Sequence, residues 1–108
     1  MIRDELVRLR ASAEAEAATL ARDLEALFDA SRDSNADDEH DPEGATIGFE
    51  RAQLTALLAA ARERIAEVGD ALRRLDEGTY GACERCGKPI GGERLEVRPF
   101  ARRCMACA

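Results

Sequence analysis

Apolar side chains recur at heptad spacing along two long stretches of this chain, and charged residues fill the positions between them. In the first stretch, from about residue 2 to residue 30, successive apolar positions are separated by 4, 3, 4, 4, 3, 4 and 3 residues. In the second, from about residue 45 to residue 77, the steps are 4, 3, 4, 3, 4 and 3. Both patterns are typical of amphipathic helices that pair along a heptad seam. The seam positions are Ile2, Leu6, Leu9, Ala13, Ala17, Leu20, Leu24 and Leu27, and then Leu54, Leu58, Ala61, Ile65, Val68, Leu72 and Leu75.

The segment between the two stretches, about residues 31–44, is a predicted connecting loop, because it is polar, contains Pro42 and Gly44 and carries six carboxylates. Asp41 followed by Pro42 suits the start of the second helix, and Gly78 suits the left-handed position that ends it. Two helices of similar length, each about 45 Å at 1.5 Å per residue, joined by a short loop predict an antiparallel hairpin. The same seams could pair between chains, but closing them within one chain costs less entropy. A monomer is therefore favoured over a helix-mediated dimer.

The composition favours an elongated helical chain over a compact enzyme. Of the 108 residues, 35% are charged and only 4% are aromatic, so few large side chains are available for a rounded core. No apolar run approaches the roughly 18 residues that a membrane span needs. The charged first residues also lack the apolar stretch of a signal peptide. These features predict a cytoplasmic protein with no membrane association.

All four cysteines lie in the last quarter of the chain, as two Cys-x-x-Cys pairs. Cys83 and Cys86 form the first pair, Cys104 and Cys107 form the second, and 17 residues separate the pairs. Two residues between cysteines let one tight turn aim both sulfurs at one ion, and the intervening loop brings the second pair round to complete a tetrahedron. Zinc is the default ion for four thiolates in a cytosol, although iron and other soft divalent metals suit the same sulfurs. Because a closed four-cysteine site leaves no open position for substrate, one structural Zn²⁺ per chain is predicted.

These patterns together predict a mainly α-helical protein. Residues 1–77 would form a long antiparallel two-helix coiled-coil hairpin, and residues 78–108 a small C-terminal four-cysteine zinc finger. A disulfide framework or a thioredoxin-like redox site is disfavoured, because neither a signal peptide nor a βαβ unit accompanies the pairs. A unit of some 30 residues cannot build its own core, so the metal is expected to supply folding energy. The apolar residues expected to pack around the metal are Ile90, Leu95, Val97 and Phe100.

Charge divides the chain at the same point. Residues 1–77 carry 19 acidic and 10 basic groups, a net charge of −9, and residues 78–108 carry 3 acidic and 6 basic groups, a net charge of +3. Phosphates repel the acidic part, and one Tyr and three Phe leave little for base stacking. Direct sequence-specific DNA binding is therefore not expected. Within the basic part, Arg102 and Arg103 are the candidate contact with an anionic surface.

The residues around the cysteines resemble a known family. The run GTYGACERCGKPI from Gly78 to Ile90, the run RLEVRP from Arg94 to Pro99 and the closing pair CMAC look like the DksA/TraR family of bacterial C4-type zinc-finger proteins. Members of that family place a helical hairpin before the finger, bind RNA polymerase and insert the hairpin into its secondary channel. The resemblance implies a transcription regulator rather than an enzyme, with RNA polymerase as its partner and a hairpin tip that approaches the polymerase active site.

The acidic loop is the candidate tip, because its carboxylates suit an approach to catalytic magnesium or to basic channel residues. The family's tip pattern, Asp-x-x-Asp-x-Ala, is complete in neither register. Counted from Asp41, Gly44 stands at the second Asp; counted from Asp38, Glu43 stands at the Ala. Polymerase binding is thus better supported than a DksA-like effect on promoters, and the alternatives are a zinc-stapled helical adaptor or oligomerisation module, or a weak nucleic-acid-binding zinc finger. The candidate tip residues are Asp37, Asp38, Glu39, Asp41 and Glu43.

Overall fold

The computed structural model describes residues 1–33 and 42–108, and this part of the chain contains three helices. Helix α1 spans Ile2–Asp33, α2 spans Pro42–Glu77 and α3 spans Gly92–Val97. The first two are the predicted long helices, and each extends about three residues further towards the loop than the seam indicated. Helix α2 begins at its proline because a proline at the first helical position has no N–H to leave unpaired and a suitable fixed backbone angle.

The described residues form two compact units. The finger unit consists of Met1–Ser12 together with Arg64–Ala108, and the hairpin unit consists of Ala13–Glu63. The predicted division between residues 77 and 78 lies inside the finger unit and stays a prediction. Among the helices of the described residues, none combines the length and apolarity needed to cross a bilayer.

In the hairpin unit, α1 and α2 pack through the predicted seam. Three seam residues, Leu20, Leu58 and Ala61, form its buried centre. The side chains that pack around them while partly exposed are Ala17, Ala21, Leu24 and Leu54. All but Ala21 belong to the seam. Together with the same pairing in the finger unit, this confirms the predicted fold class, an antiparallel two-helix coiled-coil hairpin with a four-cysteine finger.

In the finger unit, the seam continues and gains a cover that the heptad pattern did not indicate. Leu6 and Val68 are fully buried, and burying such a side chain stabilises a fold by about 1.5–3 kcal/mol. Ala71 is also fully buried, although it lies outside the predicted seam. Tyr80 and Phe100 pack against this cluster from beyond the end of α2, so the buried face of the helix is wider here than the heptad seam.

Helix α2 ends at the predicted glycine. Gly78 has a φ of +78°, in the left-handed region. Its N–H donates to the carbonyl oxygen of Leu75 at 3.3 Å, and the N–H of Thr79 donates to that of Arg74 at 2.9 Å. This pair of bonds is the Schellman motif, which satisfies the last carbonyls of a helix. The left-handed cap predicted at Gly78 is confirmed.

The finger has its own small core, which differs from the predicted one. Cys83, Ile90 and Ala101 are buried together, and Leu95 packs against them. Val97, expected to pack around the metal, is 82% exposed. Since helical residues two positions apart point in nearly opposite directions, α3 cannot turn both Leu95 and Val97 inward. Phe100, also expected to pack around the metal, packs instead against the helical cluster around Leu6.

Candidate metal centre

The first cysteine pair lies in a tight turn closed by backbone hydrogen bonds. The N–H of Cys83 donates to the carbonyl of Lys88 at 2.8 Å, and the N–H of Gly87 donates back to the carbonyl of Cys83 at 2.9 Å. Gly87 has a φ of +76°, a conformation that an L side chain rarely adopts. The glycine after the second cysteine is therefore what lets the chain reverse and leaves both sulfurs on one side of the turn.

The second pair forms a smaller turn and is tied to the first. The N–H of Cys107 donates to the carbonyl of Cys104 at 3.0 Å. Between the two turns, the N–H of Glu84 donates to the carbonyl of Arg102 at 2.9 Å. The Arg103 Nε donates to Glu84 Oε1 at 3.0 Å, which adds an ion pair at the same place. The residues before Cys104 are thus held against the residue that follows Cys83.

This arrangement brings all four sulfurs together. The Sγ atoms of Cys83, Cys86, Cys104 and Cys107 all lie within 4.8 Å of one another. A tetrahedral zinc site with Zn–S bonds of about 2.3 Å has sulfurs about 3.8 Å apart along each edge. The Cys86 and Cys104 sulfurs are 3.7 Å apart. The donor set and its spacing therefore fit a zinc ion held by four thiolates.

The four thiols differ in acidity, because the pKa values of Cys83 and Cys104 are lowered and those of Cys86 and Cys107 are raised. Hydrogen bonds from the backbone of Cys104 and Cys86 lower the pKa of the Cys83 thiol to about 6, against an ordinary value of 9.0. The hydrogen bond between Cys107 and the Cys104 sulfur, together with burial, raises the pKa of Cys107 to about 12. Cys83 is therefore a thiolate at neutral pH while Cys107 holds its proton, and a divalent cation would displace the protons that remain on the cluster.

The other predicted site residues are the five tip carboxylates and the pair Arg102 and Arg103, and among the described residues none of them lies in the sulfur cluster. Asp37, Asp38, Glu39 and Asp41 lie outside the described residues, and of Glu43 only the helical backbone is described. The role of these five carboxylates stays a prediction. Arg102 and Arg103 are both exposed, but Arg103 is engaged with Glu84. Their contact with an anionic surface also stays a prediction.

Two residues, Arg74 and Tyr80, connect the end of α2 to the finger, and the heptad pattern alone does not indicate the burial of Arg74. Arg74, a charged residue next to the seam, is only 7% exposed. Its Nε donates to Asp70 Oδ2 at 3.0 Å, and its Nη1 approaches the carbonyl oxygen of Ala101 at 3.5 Å. Tyr80 donates from its hydroxyl to the carbonyl oxygen of Pro99 at 2.8 Å. A single arginine on a helix gives no sign of such burial, because the cover comes from residues some 25 positions further along the chain.

Comparison with known proteins matches the finger to one family. The family model described as the prokaryotic dksA/traR C4-type zinc finger matches residues 78–108. Among curated relatives, general stress protein 16O of Bacillus subtilis is 39% identical over 69 residues, which cover 64% of this chain and 42% of that protein. The RNA polymerase-binding transcription factor DksA of Caulobacter vibrioides is 52% identical over 40 residues, which cover 37% of this chain and 28% of that protein. The chain therefore spans less than half of the length of these relatives.

A solved structure extends the similarity over the helices. Transcription factor DksA2 from Pseudomonas aeruginosa superposes with a TM-score of 0.79 at 28% sequence identity. The superposition covers 98% of this chain and 76% of that one. The C4-type finger and the four clustered sulfurs together establish the cofactor as one structural zinc ion per chain.

Proposed function

Because the chain belongs to the DksA/TraR family of C4-type zinc-finger proteins, we propose that it is a transcription regulator that binds RNA polymerase. The observation that carries this function is the combination of the two parts, a four-sulfur finger and an antiparallel helical hairpin, in a chain that resembles DksA2 over 98% of its length. One relative, DksA from Caulobacter vibrioides, is described as an RNA polymerase-binding transcription factor.

The hairpin enters the secondary channel of the polymerase with the loop between α1 and α2 in front. This mode is supported by the charge of the loop, whose carboxylates suit an approach to a bound divalent cation or to basic residues of a channel. It is also supported by the net charge of −9 on residues 1–77, since the acidic groups of the chain are concentrated there. The regulator acts by occupying the channel and performs no catalysis of its own.

The finger is the structural half of the regulator. Its zinc ligands are Cys83, Cys86, Cys104 and Cys107, which supply four thiolates and leave no position for a substrate. The division between hairpin and finger falls at residues 77 and 78, where the Schellman motif at Gly78 ends α2. The chain works in the cytoplasm, where bacterial transcription takes place, as a monomer.

Binding is tested with purified, zinc-loaded full-length chain and purified RNA polymerase. The chain should bind the polymerase and should be displaced by a second factor known to occupy the secondary channel. Absence of binding to the purified enzyme would reject the function, and binding without competition would reject the secondary channel as the site.

The tip is tested by a variant in which its carboxylates are neutralised. A second variant, with the same change in net charge made in α1, is the control. The variant carries Asp37→Asn, Asp38→Asn, Glu39→Gln, Asp41→Asn and Glu43→Gln. The matched control neutralises five carboxylates of α1, Glu14, Glu16, Asp23, Glu25 and Asp29. In transcription in vitro, the tip variant should bind the polymerase but lose the regulatory effect, and the control should keep it. If the tip variant keeps the regulatory effect as fully as the control does, the tip is only a connecting turn.

A helical adaptor is the second candidate, and one surface of the hairpin unit favours it. A groove of about 740 Å³ lies between the two helices, with Leu24, Phe28 and Leu58 among its lining residues. Phe28 is 42% exposed, and the guanidinium of Arg51 lies 5.5 Å from the centre of its ring. An apolar groove of this kind suits a third helix. Replacing Phe28 by Ser would abolish partner capture by an adaptor but leave binding in the secondary channel intact.

A further inference from the structure

Two consecutive residues of the finger, Phe100 and Ala101, pack in two different cores. Phe100 packs against the helical cluster that contains Leu6 and Val68. Its neighbour Ala101 is buried in the finger cluster beside Cys83. Cys104 follows only three residues later, so the segment 99–101 lies directly between the helical core and the second half of the metal site. A displacement of this segment would disturb both.

Tyr80 holds the segment from the helical side. Its hydroxyl donates to the carbonyl oxygen of Pro99 at 2.8 Å, and its ring packs against the same helical cluster as Phe100. Its backbone N–H donates to the carbonyl oxygen of Arg74 at 3.2 Å, which fixes Tyr80 to the end of α2. Burial, with a smaller contribution from the negative charge of Glu5, raises the pKa of Tyr80. The hydroxyl therefore keeps the proton that it donates.

Arg74 makes a second, longer contact with the same segment. Its Nη1 lies 3.5 Å from the carbonyl oxygen of Ala101 while Asp70 holds its Nε. The remaining nitrogen, Nη2, is buried and has no hydrogen-bond partner among the described residues. A buried guanidinium nitrogen without a partner is costly, so Arg74 is held in place by its other contacts. The contact between Arg74 and the carbonyl oxygen of Ala101 exists only while the finger is folded.

We propose that Tyr80, assisted by Arg74, couples occupancy of the zinc site to the stability of the helical core around Leu6, by fixing Pro99–Ala101 to both. Zinc fixes Cys104, and Cys104 limits where the segment can lie. The segment in turn carries Phe100 into the helical core. Coupling between two sites is reciprocal. Each hydrogen bond that forms only in the metal-bound arrangement therefore strengthens zinc binding by the same factor by which zinc strengthens the helices. In this role Tyr80 is a positioning residue, since it touches no ligand of the metal.

The minimal test is Tyr80→Phe, which removes one hydroxyl and leaves the ring in place. Its matched control is Thr55→Val, which removes a hydroxyl whose bond to the carbonyl oxygen of Arg51 is 2.7 Å long and lies in the hairpin unit. Zinc affinity of the full-length chain is measured by competition with a chromogenic chelator. Thermal unfolding is followed by helical circular dichroism with zinc and after its removal. Tyr80→Phe should weaken zinc binding by about three- to tenfold and reduce the rise in Tm that zinc produces.

The control separates coupling from a merely structural role. Thr55→Val should leave zinc affinity within twofold of the unchanged chain and lower Tm equally with and without zinc. If Tyr80→Phe behaves in the same way, the coupling is absent and the proposal is wrong. Arg74→Lys keeps the positive charge beside Asp70 but lacks the second nitrogen that reaches Ala101. If Tyr80→Phe fails to fold, the zinc affinity of Arg74→Lys and the rise in its Tm with zinc test the proposal instead.

Discussion

The Sγ atoms of Cys86 and Cys104 lie 3.7 Å apart, although 18 positions separate the two residues in the sequence. Neighbouring sulfurs around a tetrahedral zinc ion with bonds of about 2.3 Å are about 3.8 Å apart. Two ligands from different turns therefore lie at the spacing of one edge of a zinc coordination tetrahedron. The hydrogen bond from Glu84 N–H to the carbonyl of Arg102 holds the two turns at this distance.

Replacing Cys86 by Ser should remove zinc from the chain. A hydroxyl is a poor ligand for zinc beside three thiolates, and three sulfurs no longer close the site. Metal analysis of the freshly purified variant should find far less than one equivalent, against about one for the unchanged chain. Met105→Leu is the matched control, because Met105 lies in the second turn but is 73% exposed and supplies no thiolate. A full equivalent of zinc in the Cys86 variant, or less than half an equivalent in the unchanged chain, would contradict the assignment.

Zinc affinity should depend on pH more steeply below pH 6 than above it. The pKa of Cys83 is lowered to about 6, so above pH 6 this residue is already a thiolate and zinc displaces no proton from it. As the pH falls through 6, Cys83 becomes protonated and zinc must displace one more proton, which lowers the affinity by a further factor of about ten per pH unit. Cys107, with a pKa raised to about 12, is protonated throughout and contributes a constant dependence.

The measurement is a competition titration with a chelator at pH values from 5 to 8, corrected for protonation of the chelator itself. The slope of the logarithm of affinity against pH should increase by about one on going below pH 6. A slope that stays constant over the whole range would show that the backbone hydrogen bonds from Cys104 and Cys86 do not lower the pKa of Cys83.

Heptad spacing and cysteine spacing predict most of this structure, because both report local geometry. The seam from Leu6 to Leu75 identifies the buried side of each helix, and the two Cys-x-x-Cys pairs identify the four sulfurs that come together. The contacts between helix and finger are not predictable in this way. Ala71 lies in the cluster against which Tyr80 and Phe100 pack, and Arg74 approaches the carbonyl oxygen of Ala101. No repeat in the sequence relates the helix to these residues of the finger. The expected position of Val97 is wrong for a local reason. The short helix α3 turns only one side towards the finger core, and Leu95 occupies that side.

Leu6→Ala should strongly destabilise the finger unit. Leu6 is fully buried in the cluster with Val68 and Leu72, and a large-to-small change at such a site costs about 2–5 kcal/mol. Leu57→Ala is the control, because Leu57 is a leucine of α2 that is 45% exposed. The control should cost less than about 1 kcal/mol. Urea unfolding of zinc-loaded chains, followed by circular dichroism, measures both values. Similar costs for the two variants would mean that Leu6 is not a central residue of this core.

Two glycines, one inside α2 and one just after its last residue, should respond to alanine with opposite signs. Gly69 lies inside α2, and a Cβ added there would meet no atom within 4 Å. Alanine favours the helix over glycine, so Gly69→Ala should stabilise the chain by about 0.5–1 kcal/mol. Gly78 has a φ of +78° in the Schellman motif, and an L side chain there costs about 1–2 kcal/mol. Gly78→Ala should therefore destabilise the chain, although its Cβ would also meet no atom within 4 Å. Because steric space is equal at the two sites, urea unfolding of both zinc-loaded variants isolates the effect of backbone conformation. A stabilising Gly78→Ala would show that α2 does not end in a left-handed residue.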